Sequence, residues 1–212
     1  MKLVIFDVDG VMLDTETVWL NAWKTVGRRH GIEELTTELF LNCVGKNRKE
    51  NERLIQLMLS HIENYEAIVK EAKDLGYQLL DEHIDFKPGL IDLLETLKAK
   101  GLKIAVATST RRCVTEKRFS KLNITHYFDV IVCGDDVTHS KPHPEIYKTA
   151  LAKMNTKPED ALVLEDSVAG VEAAYRAHIP VIMIPDLVPA SQKQKDETIA
   201  IVSSLTDVKN YL

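Results

Sequence analysis

The chain has 212 residues, 45% hydrophobic and 28% charged, and its 27 basic and 32 acidic side chains leave a net charge of −5. That length allows one large domain or a domain carrying a smaller insert, and the acidic balance excludes a protein built for general attraction to nucleic acid or anionic membranes. Cys43, Cys113 and Cys133 are too widely spaced for a metal-type pair, and no stretch is apolar enough to span a bilayer, so reduced thiols in a cytoplasmic protein are expected.

Leu3-Val4-Ile5-Phe6 is a continuous apolar run, the pattern of a strand buried on both faces of a parallel sheet, and it is too short for a signal peptide. Over residues 15–83 the pattern changes to apolar residues at helical spacing (Val18, Ala22, Val26; Leu54, Leu57, Met58; Ile68, Ala72, Leu75), which predicts several helices broken near Gly31, Gly45 and residues 60–64. Lys87-Pro88-Gly89 is a breaker. After it, helices over 90–100, 111–122, 144–154 and 169–177 alternate with strands over 102–107, 130–133, 161–164 and 181–184. The tail from 186 to 212 is less legible, with one short strand near 199–202 and a final helical turn. Such alternation predicts an α/β fold, a doubly wound parallel sheet with right-handed crossovers, interrupted after its first strand by an all-helical domain. The expected division is residues 1–14 and 86–212 for the sheet domain and 15–85 for the insert, which would sit above the strand ends.

Four of those strand ends carry chemistry, and in open α/β sheets ligands bind at the carboxyl ends of strands. Asp7 and Asp9 follow the first strand on the same side of an extended backbone, with Gly10 free to turn the chain. Two such carboxylates suit a hard cation such as magnesium, and an aspartate can attack phosphorus. Thr108-Ser109-Thr110 offers hydroxyls and helix N-terminal amides for a phosphate. Lys141, beside Pro142 and near Pro144, is a positioned point charge, and Glu165-Asp166 is an acidic pair directly after a buried run. Each has an ordinary structural alternative: an Asp-Gly turn, Ser/Thr capping, an exposed loop lysine, Asp166 capping a helix that tolerates Gly170. All four alternatives would have to hold at successive strand ends, so a magnesium-assisted phosphoryl-transfer centre is the expected reading. The seven histidines show no metal-ligand pattern; His139 and His143 flank Lys141, but the two prolines of that stretch, Pro142 and Pro144, argue against a shared helix face, and loop positions are expected. Arg28-Arg29 and Arg111-Arg112 read as solvated helix faces. Neither a dinucleotide fingerprint, a P-loop nor a serine-hydrolase elbow is present.

The segments FDVDGVMLDTE (6–16), VATST (106–110), SKPHPEIY (140–147) and LEDSVAGVEAA (164–174) together resemble the haloacid dehalogenase-like superfamily, in its branch with a small helical cap. The resemblance covers essentially the whole chain and implies a Rossmann-like core, a helical cap and a Mg2+ cofactor. It implies Asp7 as nucleophile, Asp9 as general acid/base, Thr108, Ser109 and Lys141 as phosphate-binding residues, and Asp7, Asp9, Glu165 and Asp166 as the metal site. An aspartate at position 9 separates the phosphatases and phosphomutases of the superfamily from its dehalogenases. The subgroup implied is that of β-phosphoglucomutase and the sugar-phosphate phosphatases, acting on small phosphorylated metabolites. Trp19 stands where the mutase has a cap histidine, while Gly45-Lys46-Asn47-Arg48 resembles the mutase loop that carries a phosphate-binding arginine. Phosphatase therefore ranks ahead of mutase, and a catalytically idle binding protein ranks third. Glu16, Trp19, Trp23, Lys46, Asn47 and Arg48 are the cap-side candidates for specificity, with core packing the alternative for the tryptophans. Oligomeric state is not legible.

Overall fold

The computed structural model describes residues 1–46 and 48–212, which form two compact units, Met1–Met12 with Lys87–Leu212, and Leu13–Phe86. The first unit contains a six-stranded, wholly parallel sheet: β1 (Leu3–Phe6), β2 (Lys103–Ala107), β3 (Val130–Val132), β4 (Ala161–Glu165), β5 (Val181–Met183) and β6 (Ala200–Ile201), in the order β3-β2-β1-β4-β5-β6. Residues that alternate along the strands fill one face, where Leu3, Ile5, Ala105, Val132 and Val163 pack with Ile146, Tyr147, Ala150, Val171 and Ala174. Their neighbours Val4, Phe6, Ile104, Val106, Leu162 and Leu164 are equally buried. Both faces are covered, which is why the strands read as apolar runs rather than as alternation.

Five of the nine α-helices among the described residues belong to this unit. Numbered along the whole chain, they are α5 (Leu90–Ala99), α6 (Arg112–Lys121), α7 (Glu145–Met154), α8 (Val168–Arg176) and α9 (Gln192–Glu197), the first four helices belonging to the other unit. Strand β4 runs one residue further than the apolar pattern suggests, because Glu165 keeps the ladder by pairing with Met183. Arg112, expected on a solvated face, is half-buried and donates to the Ile131 carbonyl at 2.9 Å and to Asp136, anchoring α6 to the end of β3. In the tail, the helix α9 has too little apolar periodicity to be seen in the sequence, while the strand β6 falls where expected.

The second unit is α1 (Thr15–Arg29), α2 (Glu33–Cys43), α3 (Arg48–Leu59) and α4 (Tyr65–Glu82), separated at Gly31, Gly45 and residues 60–64. Helix α1 lies against both α2 and α4. Trp23, Val26, Leu39, Phe40, Ile68 and Ala72 form the buried set, so Trp23 serves core packing. An antiparallel bridge between Leu13 and Phe86 ties the two ends of this unit together. No helix among the described residues is long and apolar enough to cross a membrane.

Candidate active site

Strand order reverses on leaving β1: β2 and β3 continue to one side, β4 to β6 to the other. Such switch points open a crevice at the carboxyl ends of the strands. Asp7 stands at one lip, its backbone N–H still bonded to the Leu164 carbonyl at 3.0 Å, and Glu165-Asp166 stands at the other. A carboxylate oxygen from each of Asp7, Glu165 and Asp166 lies within 4.8 Å of the others.

Lys141 lies among these acids. It is 7% exposed, and its ammonium donates to Asp7 Oδ1 at 2.6 Å, to Glu165 Oε1 at 2.6 Å and to the Ala107 carbonyl at 3.1 Å. All three ammonium hydrogens are thereby used. Burial alone would lower the Lys141 pKa, but Asp7 and Glu165 outweigh it and hold the amine charged. Burial pushes Asp7 up to about 7, helped by the charges of Glu165 and Asp9 and opposed by Lys141. Burial would also raise Glu165, yet Lys141, the Ser167 N–H and the Tyr147 hydroxyl more than offset it and keep the group below the usual carboxylate range.

Glu165 is fully buried and saturated. Oε1 accepts from Lys141 and from the Tyr147 hydroxyl at 2.8 Å; Oε2 accepts from the N–H groups of Asp166 and Ser167, each at 2.9 Å, and from the Ser167 hydroxyl at 3.0 Å. Ser167, rather than Asp166, caps α8, accepting from the Gly170 N–H at 3.0 Å. Gly170 is also more than tolerated: a Cβ there would stand 1.7 Å from Glu165 Oε1, so only glycine lets α8 approach the carboxylate. Gly10 has φ +83° and its absent Cβ would lie 2.3 Å from Asp166 Oδ2, so the turn after Asp9 leaves space for that second acid.

Asp9 does not join the three-carboxylate cluster. Its Oδ2 accepts from the Thr110 hydroxyl at 2.7 Å and its Oδ1 from the Arg118 guanidinium at 3.0 Å, a pair whose side chains are 25% and 11% exposed. Thr108 is buried at the end of β2, where its hydroxyl accepts from the Thr110 N–H at 3.1 Å; Ser109 is exposed and its backbone packs on Gly134.

The remaining sequence candidates belong to the helical unit. Glu16 is half-buried in the first turn of α1. Trp19 meets Tyr77 edge-on, with ring centroids 5.1 Å apart, and lies against Gly76, where a Cβ would come within 2.1 Å of the indole. Lys46 is exposed and donates to the Asn42 carbonyl. Asn47 and the side chain of Arg48 lie outside the described residues.

Sequence reasoning missed Arg118 and Tyr147, and it read Thr110 as a hydroxyl for phosphate rather than as the partner of Asp9. Tyr147 lies within a segment that carries the resemblance, so its position was on view without a role. Arg118 is one turn from the end of α6, at a distance of 109 residues from Asp9, and nothing local marks it.

Residues 4–184 match the family model described as haloacid dehalogenase-like hydrolase. The phosphorylated carbohydrates phosphatase of Thermotoga maritima is 36% identical over 179 residues, covering 84% of this chain and 82% of that one. The validoxylamine A 7'-phosphate phosphatase of Streptomyces hygroscopicus is 31% identical over 186 residues, covering 84% and 83%. Among solved structures, a Thermotoga maritima protein described as a candidate β-phosphoglucomutase superposes with a TM-score of 0.80 at 32% identity, covering 100% of this chain and 98% of the other.

Proposed function

The chain belongs to the haloacid dehalogenase-like hydrolase family and is a phosphoric monoester hydrolase, and on that premise we propose that it removes phosphate from small phosphorylated sugars through an aspartyl-phosphate on Asp7. The observation that carries this reading is the buried set of Asp7, Lys141, Glu165 and Asp166 at the switch point of the sheet. Its three carboxylates outnumber its one ammonium by two charges, and they are hard oxygen donors, which is the environment that magnesium fits. Asp7 and Asp166 would hold the ion, while Glu165, its lone pairs engaged, would hold Lys141. Bound there, magnesium would neutralise charge on the transferring phosphoryl oxygens.

Asp7 attacks phosphorus in line, forming the Asp7 carboxyl–phosphorus bond as the ester oxygen leaves. Asp9 gives its proton to that departing alkoxide, then takes one from the water that hydrolyses the acyl phosphate and restores Asp7. Lys141 places a fixed positive charge beside the nucleophile, and Thr108, whose amide is bonded to the Val132 carbonyl at 3.0 Å, supplies its hydroxyl proton for a phosphoryl oxygen. Arg118 and Thr110 set where the Asp9 carboxylate stands between these proton transfers. Arg118→Ala should therefore lower kcat by about tenfold or more with a smaller change in KM, because misplacing a catalytic group by about 1 Å costs up to about 10²-fold. Arg118→Lys, which keeps charge but not the planar fork, should recover part of it. Wild-type kcat in Arg118→Ala would remove the positioning role.

The test of the function is release of inorganic phosphate from a panel of hexose, pentose and polyol phosphates with magnesium, abolished by EDTA and restored by excess magnesium. A phosphomutase would instead isomerise β-glucose 1-phosphate with no net phosphate release. Trp19, half-buried against Gly76 and Tyr77, offers no imidazole where the mutase carries its cap histidine, which supports hydrolysis over that alternative. No release from any panel member would overturn the proposal.

A further inference from the structure

We propose that His139, His143 and Glu145 form a second metal site, selective for a borderline transition-metal dication such as Zn2+, Ni2+ or Cu2+. Pro142, which lies between the two histidines in sequence, does not keep them apart. The His143 N–H bonds back to the Ser140 carbonyl at 3.0 Å, folding the segment so that the imidazole rings lie 4.5 Å apart and tilted by 35°. Glu145 opens α7 and is locked in place: Oε1 accepts from the Thr138 N–H at 2.8 Å and Oε2 from the His139 N–H at 3.0 Å. Two backbone donors thus aim one carboxylate between two imidazoles.

The donor spacing fits an ion with small movements. His139 Nδ1 and His143 Nδ1 lie 2.7 Å and 3.8 Å from Glu145 Oε2. Tetrahedral ligands at about 2.0–2.1 Å from zinc are about 3.3–3.4 Å apart, so each gap need change by only about half an ångström. Coordination through His143 Nδ1 displaces one weak partner, the Glu145 N–H at 3.3 Å. The side chains are accessible, 63% exposed for His139 and 49% for His143, so water can fill the remaining coordination positions.

Two imidazole nitrogens with one carboxylate prefer Zn2+, Ni2+ or Cu2+, whereas the all-oxygen donors of Asp7 and Asp166 prefer magnesium. The two sites are therefore chemically distinct although they share a segment, since Lys141 lies midway between the histidines in sequence. An ion held by residues 139, 143 and 145 would brace the segment that carries Lys141.

Titration of the chelator-stripped protein with Cu2+ in excess magnesium, followed by electron paramagnetic resonance, tests this directly. The expected spectrum shows hyperfine coupling to imidazole nitrogens at one equivalent, which an all-oxygen site cannot give. His139→Ala/His143→Ala should lose that coupling and weaken binding by at least about tenfold, the lower end of what even an outer-shell loss costs a metal site. The single variant His143→Ala should weaken it in the same direction, and turnover with magnesium alone should be unchanged in both. Nitrogen coupling and affinity that persist in the double variant would overturn the site, as would a wild-type spectrum without nitrogen coupling. This outcome is independent of the phosphatase reading, which EDTA and magnesium decide on their own.

Discussion

Asp7→Asn should abolish phosphate release while leaving the fold intact. Removing a covalent nucleophile leaves no group to accept the phosphoryl, and the loss expected is on the order of 10⁴–10⁶-fold in kcat. The fold survives because the amide occupies the same volume and removes one member of a crowded set of acids. The sign of the stability effect follows from the raised Asp7 group. With a native pKa of about 7 against about 3.9 in an unfolded chain, metal-free native protein retains a proton that the unfolded state releases between those values. Stability of the metal-free protein therefore falls as pH rises from about 4 to about 7, and asparagine removes that contribution. Denaturation in EDTA across that pH range checks the slope, and a phosphate-release assay checks turnover. Wild-type turnover in Asp7→Asn would sink the mechanism; a metal-free wild-type stability that stays flat or rises between about pH 4 and about pH 7 would sink the account of the buried charge.

Lys141→Met should be the most damaging single change to stability in the centre. The ammonium sits 2.6 Å from each of two buried carboxylates, and deleting one partner of a buried ion pair typically costs about 3–5 kcal/mol. For a chain of this length that corresponds to a Tm lower by about 10 °C. Turnover should fall on the order of 10²–10³-fold or more, the scale for losing one electrostatic stabiliser of a transition state. Arginine should rescue neither quantity, because a planar guanidinium cannot make the three converging bonds of a compact ammonium. Differential scanning calorimetry in EDTA, with and without added magnesium, is the measurement. A Tm within about 2 °C of wild type would show that Asp7 and Glu165 do not depend on Lys141.

Much of this centre is legible in the sequence. Asp7, Glu165 and Asp166 follow buried apolar runs directly and Lys141 lies in a proline-flanked loop downstream of another, and the structure brings all four together. What strand-end position could not tell was the division of labour among them. Glu165 reads as one of an acidic pair, yet its five hydrogen bonds make it a hub for Lys141, Tyr147 and the start of α8. Gly170 reads as a weak helix residue, and only the 1.7 Å approach explains it. Asp9 was legible as a companion of Asp7, whereas its partner Arg118 was not, because long-range pairing leaves no local pattern.

The histidines carry the sharpest contrast. Spacing and prolines argued that His139 and His143 could not share a helix face, which is so, since only Glu145 lies in α7. They meet through a turn instead, and the carboxylate between them is aimed by the amides of Thr138 and His139. By itself the sequence determined the alternating α/β order, the helical character of residues 15–83 and the acids at the strand ends, because periodicity and strand-end position are local properties of a chain. The tertiary structure alone decided which charges neutralise each other, where glycine is required and which imidazoles converge. The charge pairs depend on distances between segments far apart in sequence, while Gly170 and the two imidazoles depend on how a short irregular segment folds, which apolar periodicity does not encode.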